Sequence, residues 1–201
     1  MIVSFIVATY NRPEHFKLFC QSLLCQTNKD WECIVMDEGD NKKYIPDDVR
    51  FKYYTFKRSI SPIFGMHKEP ERGTLGLLAK DEGVKFAIGE YVSFPCEDTY
   101  YAPTFLEKIQ EGYRKSNVDF VYCDFLMYNS NYSVINSIPA MGSVSSCNFI
   151  LNKNKVVNIT FEQFFGKDGV YLGVADGLFI NELVKRGLRH YKISGILMVY
   201  N

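Results

Sequence analysis

Short apolar runs alternate along this chain with segments whose apolar residues recur at helical spacing. The first run, residues 3–8, is rich in β-branched and aromatic side chains, as is typical of a buried strand. Pro13 then stands within the first turn of a predicted helix. This helix carries one buried stripe, formed by Phe16, Phe19, Cys20, Leu23 and Leu24.

The same alternation continues as far as residue 126. Further strands are predicted at residues 33–36, 51–56, 91–94 and 120–126. A helix is predicted over residues 74–88, and its small residues share one face that can lie close to a sheet: Gly76, Ala79, Gly83 and Ala87. Another helix follows Pro103, with inward-facing Leu106, Ile109 and Tyr113. This order predicts an α/β fold in which helices flank a central sheet.

Polar residues follow three of these runs. They are Thr9, Tyr10 and Asn11 after the first, Asp37 and Glu38 after the second, and Glu97 and Asp98 after the run at 91–94. In open α/β sheets, ligands bind outside the carboxyl ends of the strands. Two adjacent carboxylates repel each other, and Mg²⁺ or Mn²⁺ commonly binds one or two carboxylates together with substrate phosphates. The second acidic pair therefore predicts a metal that carries a diphosphate, although a plain solvated turn remains open for either pair.

Composition narrows the function classes. With 201 residues, 47% of them hydrophobic, a single domain over residues 1–201 is expected. Lys plus Arg equal Asp plus Glu at 23 each, so no overall charge favours nucleic acid or an anionic membrane.

The six cysteines include no CxxC pair and no His at zinc-finger spacing, so reduced, mostly buried thiols are expected. The first 15 residues lack the features of a signal peptide or membrane anchor, which predicts a cytoplasmic protein.

Two stretches resemble family 2 glycosyltransferases. VSFIVATYNRPEHFKLFCQSLLCQTNKDWECIVMDEGDN is similar to the opening of that family: an apolar strand, a Thr-x-Asn-Arg turn, a Ser-Leu-x-x-Gln-Thr helix end and a strand into an Asp-Asp-Gly-Ser loop. GEYVSFPCEDTYYAPTFLEKI resembles its second signature, a strand followed by the metal-binding acidic motif, and AKDEGVKFA resembles its Ala-Arg-Asn helix. The similarity covers residues 2–41 and 73–109 and is weak between 125 and 170.

This resemblance implies a GT-A fold with a Rossmann-like mixed sheet. Residues 1–103 would form the half that binds a nucleotide sugar, most simply a UDP-sugar, and residues 104–201 the acceptor half. Within the family pattern Thr9 approaches the nucleotide, Glu38 recognises the base, and Asp98 binds Mn²⁺ or Mg²⁺. The donor-side residues that follow from the resemblance are Thr9, Tyr10, Asn11, Arg12, Asp37, Glu38, Lys80 and Glu97.

The sequence also departs from the family pattern. Cys96 stands where a fuller Asp-x-Asp motif has its first Asp, and Lys80 and Asp81 replace the usual Arg and Asn. Two interpretations of Lys80 remain: it contacts a phosphate, or it is a solvated charge on the helix. Many members carry a metal-ligating His after a strand like ISGILMVYN, and in this sequence that ligand is either missing or lies beyond residue 201. The alternative is therefore an inactive protein of the same fold that binds nucleotide sugars or serves as a scaffold.

A catalytic base is implied by LGVADGLFINELVKRG, in which Asp176 matches the family's acid at a helix start. An N-cap is the alternative role for this carboxylate. The implied reaction is a metal-dependent, inverting transfer to an acceptor hydroxyl. A related nucleotidyltransferase would carry a Gly-rich phosphate loop, which TYNRPEH lacks.

Partners are predicted only by class. Residues 67–73, HKEPERG, are expected to close over the diphosphate, with Arg72 as a candidate contact, and residues 136–148 are expected to form an adaptable acceptor loop. The acceptor can be a glycan, a lipid-linked molecule or a protein. Because no transmembrane segment is predicted, a lipid-linked acceptor would be met at a membrane surface or through a partner protein.

Overall fold

A computed structural model describes residues 1–57, 76–129, 131–164 and 175–201. Within these residues nine strands and four α-helices are found. The strands are β1 (Val3–Thr9), β2 (Trp31–Asp37), β3 (Phe51–Thr55), β4 (Tyr91–Ser93), β5 (Thr99–Tyr101), β6 (Phe120–Asn129), β7 (Asn131–Ile135), β8 (Phe149–Asn152) and β9 (His190–Tyr200). The helices are α1 (Pro13–Leu24), α2 (Leu77–Gly83), α3 (Phe105–Lys115) and α4 (Ala175–Lys185). The expected diphosphate loop at 67–73 lies outside the described residues.

All nine strands belong to one mixed sheet, as the α/β prediction requires. Its order is β3-β2-β1-β4-β8-β6-β9-β5, and β7 pairs with β6 at the side. The strands from β3 to β4 run parallel, whereas β8 is antiparallel to both of its neighbours. Thr9 pairs with Asp37 at the end of β1, and Ala8 forms a bridge with Cys96 beyond β4. The carboxyl ends of β1 and β2 and the segment after β4 therefore meet at one edge.

The two faces of the sheet are covered by different helices. In β1, Phe5 packs into the core beneath α1 and α3, while its neighbour Ile6 packs into the core with α2 and α4, because side chains alternate along a strand. The predicted stripe of α1 is confirmed at Phe16, Phe19, Cys20 and Leu23, whereas Leu24 is only partly buried. The predicted inward residues of α3 are confirmed at Leu106 and Ile109, and Tyr113 is partly buried.

Helix α2 is shorter than the prediction of residues 74–88. It ends at Gly83 and continues as one 3₁₀ turn, Val84–Phe86. The close approach predicted for its small residues is confirmed, since a Cβ added at Gly83 would lie 2.4 Å from Ile6 Cγ2. Gly76 has a φ of 72°, in the left-handed region, and a Cβ there would lie 2.4 Å from that of Ala8. This contact brings the helix against the edge where β1 ends.

The region between residues 125 and 164 contains strands that the sequence pattern does not reveal. Strands β7 and β8 lie there, and β8 fills the gap in the sheet between β4 and β6. Residues 136–148, which were expected to form an adaptable acceptor loop, are partly fixed by buried hydrogen bonds. Asn148 is fully buried, and its amide donates to Cys123 O at 2.7 Å and to Ser137 Oγ at 2.9 Å.

Candidate active site

Glu97 joins the turn after β1 to the loop after β4, residues 94–99, which we call the acidic loop. Its carboxylate accepts hydrogen bonds from the Thr9 hydroxyl and from the backbone N–H of Tyr10, the latter at 3.1 Å. Only 7% of Glu97 is exposed. Two of the three loops that sequence analysis places at the donor site are therefore held together by one carboxylate.

Burial is the main influence on the ionisation of Glu97. It raises the pKa of Glu97 to about 7, while the hydrogen bonds from Thr9 and Tyr10 and the charge of Arg12 act in the opposite direction. The neighbouring Asp98 adds to the upward shift, as expected for like charges. Glu97 is therefore a buried residue that links two loops by hydrogen bonds, and the interpretation as a solvated turn does not apply to it.

Asp98 has a different environment from Glu97 although the two are adjacent. Its Oδ2 accepts a hydrogen bond from Arg12 Nη1 at 2.7 Å, and the Arg12 side chain also lies 3.9 Å from Glu97 Oε1. Asp98 is 5% exposed, and its Oδ1 is buried without a hydrogen-bond partner among the described residues. A buried acceptor without a donor is costly, so this oxygen is suited to a ligand.

Asp37, at the end of β2, accepts most of its hydrogen bonds from the loop that follows it. Its carboxylate accepts hydrogen bonds from Gly39 N at 2.9 Å, from Asn41 N at 2.7 Å and from Asn41 Nδ2 at 3.1 Å. The Tyr53 hydroxyl donates to it at 2.9 Å, and burial together with this bond raises the pKa of Tyr53 to about 12. Asp37 thus shapes the loop that carries Glu38.

The loops after β1 and β2 also touch directly. Asn11 has a φ of 51°, a left-handed conformation that Asn tolerates better than most residues, and a Cβ added at Gly39 would lie 2.6 Å from its Oδ1. Glu38 N donates to Thr9 O at 3.0 Å, and Tyr10 is 38% exposed beside them. The residues predicted from these two loops therefore lie together, and their roles toward a donor stay predictions.

A cavity opens beside the ends of β2 and β3. Its volume is about 570 Å³, within the range typical of small-molecule sites. Lys42, Tyr53 and Glu82 line it together with the apolar Met36 and Phe86. It adjoins the Asp37 loop through Tyr53.

Lys80 is buried, contrary to the interpretation as a solvated helix charge. It is 1% exposed, and its Nζ lies 3.4 Å from Cys96 Sγ and 3.3 Å from Ser146 Oγ. Burial opposes its charge, but the pKa of Lys80 is nevertheless raised, because Cys96, Cys147 and Asp176 surround it. The two departures from the family pattern, Lys80 and Cys96, are thus in contact with each other.

Asp176 lies inside the first turn of α4, which begins at Ala175, instead of preceding the helix as an N-cap would. Its Oδ2 accepts a hydrogen bond from Ser146 N at 2.8 Å. This bond connects the predicted base to the buried cluster around Lys80. Sequence reasoning missed Ser146 and Cys147 as site residues, because they lie in the segment where the resemblance is weak.

Tyr200 marks the proximity of the two predicted functional acids. The pKa of Tyr200 is raised by Cys96, by burial and by Cys147, and then by the charges of both Asp98 and Asp176. One phenol therefore lies within electrostatic reach of the predicted metal ligand and the predicted base.

Comparison with known sequences decides the family. The profile described as "Glycosyl transferase family 2" matches residues 4–170. The chain belongs to this family. A relative from Escherichia coli, the UDP-Glc:alpha-D-GlcNAc-diphosphoundecaprenol beta-1,3-glucosyltransferase WfgD, is 29% identical over 130 residues, which cover 65% of this chain and 48% of WfgD. This family 2 chain thus spans about half the length of that relative.

Solved structures confirm the expected GT-A fold. S. aureus TarS superposes with a TM-score of 0.74 at 18% identity, covering 100% of this chain and 37% of TarS. A shorter form of TarS in complex with UDP-GlcNAc gives a TM-score of 0.68 at 16% identity, covering 99% and 58%. The mannosyltransferase PcManGT from Pyrobaculum calidifontis, in complex with GDP-Man and Mn²⁺, gives 0.64 at 15% identity, covering 98% and 56%.

The residues at the sheet edge fit a divalent cation that is only partly held by protein. Among the described residues, no cluster of three or more His, Cys, Asp or Glu side chains could hold a metal by itself. Asp98 nevertheless offers a buried oxygen that has no hydrogen-bond donor within the described ranges. Mg²⁺ and Mn²⁺ sites completed by substrate phosphates need only one or two carboxylates, so the donor set is compatible with such a site.

Of the helices in the described ranges, none combines the length and apolar character needed to span a bilayer.

Proposed function

We propose that this chain transfers a sugar from a nucleotide diphosphate donor to an acceptor hydroxyl with the help of a divalent cation. The observation that carries the proposal is the buried Oδ1 of Asp98, which has no hydrogen-bond partner among the described residues and lies at the edge where the loops after β1, β2 and β4 meet. Membership in family 2 and the nucleotide-sugar complexes of fold neighbours support the donor class.

The loops that Glu97 links would position the nucleotide sugar. Glu97 holds the turn at Thr9 and Tyr10, and the side chain of Tyr10 is exposed. The cavity next to Tyr53 is large enough for a nucleobase. We propose UDP as the nucleotide, since the relative WfgD is named for a UDP-sugar donor and TarS was solved with UDP-GlcNAc.

Asp98 would hold Mn²⁺ or Mg²⁺, with Arg12 beside it as a second positive group. When bound, such a cation stabilises the negative charge that develops on the departing diphosphate. Arg12 is partly exposed and lies between both carboxylates, so it can turn toward a phosphate once Asp98 engages a cation.

Asp176 would accept the proton of the acceptor hydroxyl as that oxygen attacks the anomeric carbon. One of its oxygens is fixed by Ser146 N, and its side chain is only half-buried, so the other oxygen can face an acceptor. No second nucleophile is required if the attack is direct, and the anomeric configuration is then inverted. General base assistance of this kind contributes about 10²–10⁴-fold to a rate.

The acceptor class that we propose is a sugar on a lipid diphosphate carrier. The name of WfgD specifies a diphosphoundecaprenol-linked acceptor, and the exposed apolar side chains of Val134, Ile138 and Met141 lie on the half assigned to the acceptor. Contact with such a substrate would take place at a membrane surface.

The test is a transfer assay with UDP-sugars and GlcNAc-diphospholipid, with and without Mn²⁺. We expect metal-dependent transfer that inverts the anomeric configuration, and a loss of about 10²-fold or more for Asp176→Asn. Full activity of Asp176→Asn would remove the base assignment. Donor binding without any turnover would favour the inactive, nucleotide-sugar-binding alternative.

A further inference from the structure

Cys96 and Cys147 form a pair of neighbouring thiols behind the acidic loop. Cys96 follows β4 and Cys147 precedes β8, and because β4 and β8 run antiparallel, the two segments lie side by side. The backbone N–H of Cys96 donates to Cys147 Sγ at 3.3 Å. Both cysteines are free.

A buried cation accompanies this pair. The ammonium of Lys80 lies 3.4 Å from Cys96 Sγ, and no carboxylate lies within hydrogen-bond distance of it in the part of the chain that the structure describes. A buried charge without an anionic partner is unfavourable, and a neighbouring cation stabilises a thiolate.

The two thiols differ in accessibility. Cys147 is fully buried, whereas Cys96 keeps part of its surface exposed at the edge of the sheet. A reagent in solution can therefore reach Cys96 first, and Cys147 stands directly behind it. This is the arrangement of an accessible, reactive thiol next to a resolving thiol.

We propose that Cys96 and Cys147 are a modification site at which a low-molecular-weight disulfide converts the two thiols into an intramolecular disulfide. Cys96 Sγ attacks one sulfur of the reagent, forming a mixed disulfide, and its proton leaves with the first released thiol. Cys147 Sγ then attacks Cys96 Sγ, so that the protein disulfide forms and the second thiol leaves with the proton of Cys147. The protein loses two protons and two electrons, and the reagent is reduced to two thiols.

The bridge would change the surroundings of the predicted site without requiring the proposed transferase activity. It would tie the acidic loop to the segment in which Ser146 N holds Asp176. It would also remove the thiol partner of Lys80. This site is distinct from the exposed Cys25, which lies next to the end of α1 and accepts a hydrogen bond from Gln21 Nε2 at 3.5 Å.

The experiment is incubation of the purified protein with oxidised glutathione, followed by digestion without reductant and mass analysis of the peptides. We expect a linked peptide pair that contains Cys96 and Cys147 and is two hydrogens lighter than the separate peptides. Cys25 should carry glutathione in the same sample and serves as the internal control for reagent activity.

Variants separate the two chemical steps. Cys147→Ala should stop at the glutathione adduct on Cys96, Cys25→Ser should form the bridge as the wild type does, and Lys80→Met should form it several-fold more slowly. Recovery of Cys96 and Cys147 as free thiols after complete modification of Cys25 would overturn the proposal. A wild-type protein that retains glutathione on Cys96 without forming the bridge would overturn it as well.

Discussion

Two acidic pairs follow β2 and β4, the strands on either side of β1, and their aspartates have opposite surroundings. After β2, Asp37 accepts four hydrogen bonds from Gly39, Asn41 and Tyr53. After β4, Asp98 has one oxygen on Arg12 and another that is buried without a donor in the described chain. The same sequence pattern thus contains one carboxylate used by the fold and one that is available to a ligand.

The difference teaches how a structural acid can be told from a binding acid. A satisfied buried carboxylate stabilises the loop that surrounds it, whereas an unsatisfied one costs folding about 1–3 kcal/mol. A cation bound at Asp98 would relieve that cost. Mutating the two residues should therefore affect different properties, stability for Asp37 and metal-dependent chemistry for Asp98.

The largest effect is expected for Asp98→Asn. The substitution keeps the shape of the side chain but removes the charge that would hold the cation, so transfer should fall by about 100-fold or more, since about 1.4 kcal/mol corresponds to each factor of ten. The measurement is the initial rate of sugar transfer at saturating Mn²⁺. A variant with unchanged rate and unchanged metal dependence would show that Asp98 does not hold the metal.

Asp37→Ala should instead destabilise the protein. Removing the carboxylate leaves the N–H groups of Gly39 and Asn41 without their acceptor, and we expect the free energy of unfolding to fall by about 2–3 kcal/mol. Urea unfolding monitors this change. The exposed neighbour Asp40 is the matched control, and Asp40→Ala should change stability by less than about 0.5 kcal/mol. Equal effects of the two substitutions would remove the contrast that we draw.

Arg12→Gln tests whether Arg12 competes with a cation for Asp98. Because Arg12 occupies Asp98 Oδ2, its removal should free that oxygen and tighten the binding of Mn²⁺ alone by about two- to five-fold, a modest effect since Arg12 is partly exposed. Electron paramagnetic resonance of free Mn²⁺ reads this affinity without any turnover. Lys17→Gln, on the helix that follows Arg12 and paired with Glu14, is the control. Weaker Mn²⁺ binding by Arg12→Gln would contradict a competition between the two cations.

A separate effect, on the pH dependence of stability, concerns Asp81, a partly buried acid whose oxygens accept hydrogen bonds from Phe161 N and Glu162 N, both at 2.9 Å. Burial raises the pKa of Asp81 from 3.8 to about 6; the charge of Glu162 adds to this shift and that of Lys80 opposes it. The folded state therefore binds more protons than the unfolded state between these pH values, and stability falls as pH rises. We expect the unfolding free energy of the wild type, relative to Asp81→Asn, to decrease from about pH 4 to about pH 6, measured by urea unfolding. A constant difference over this range would contradict the shifted pKa.

The sequence predicted the parts of this structure that depend on local pattern. The stripe of α1, the small face of α2 and the meeting of Thr9, Asp37 and the acidic loop at one edge are confirmed, because strand alternation and parallel order determine them. The resemblance to family 2 supplied the fold that pattern alone leaves open.

The remaining features depend on contacts between distant segments. Nothing near Asp37 in the sequence indicates that Tyr53 completes its hydrogen bonds, and nothing near Lys80 indicates that Cys96 and Ser146 enclose its charge. Whether a carboxylate or an ammonium is satisfied is decided by tertiary packing. For that reason a pair of acids at a strand end predicts a site without saying which acid serves it.

The central claim is that Asp98 binds a metal that carries a nucleotide diphosphate, and thermal unfolding tests it most directly. The melting temperature of the wild type and of Asp98→Asn would be measured with UDP, UDP-glucose, UDP-GlcNAc and GDP-mannose, each with and without Mn²⁺, because a ligand that binds only the folded state raises it. We predict a rise for the wild type with a UDP ligand that requires Mn²⁺ and is absent in Asp98→Asn. An equal, metal-dependent rise in both proteins, or no rise with any nucleotide, would contradict the account.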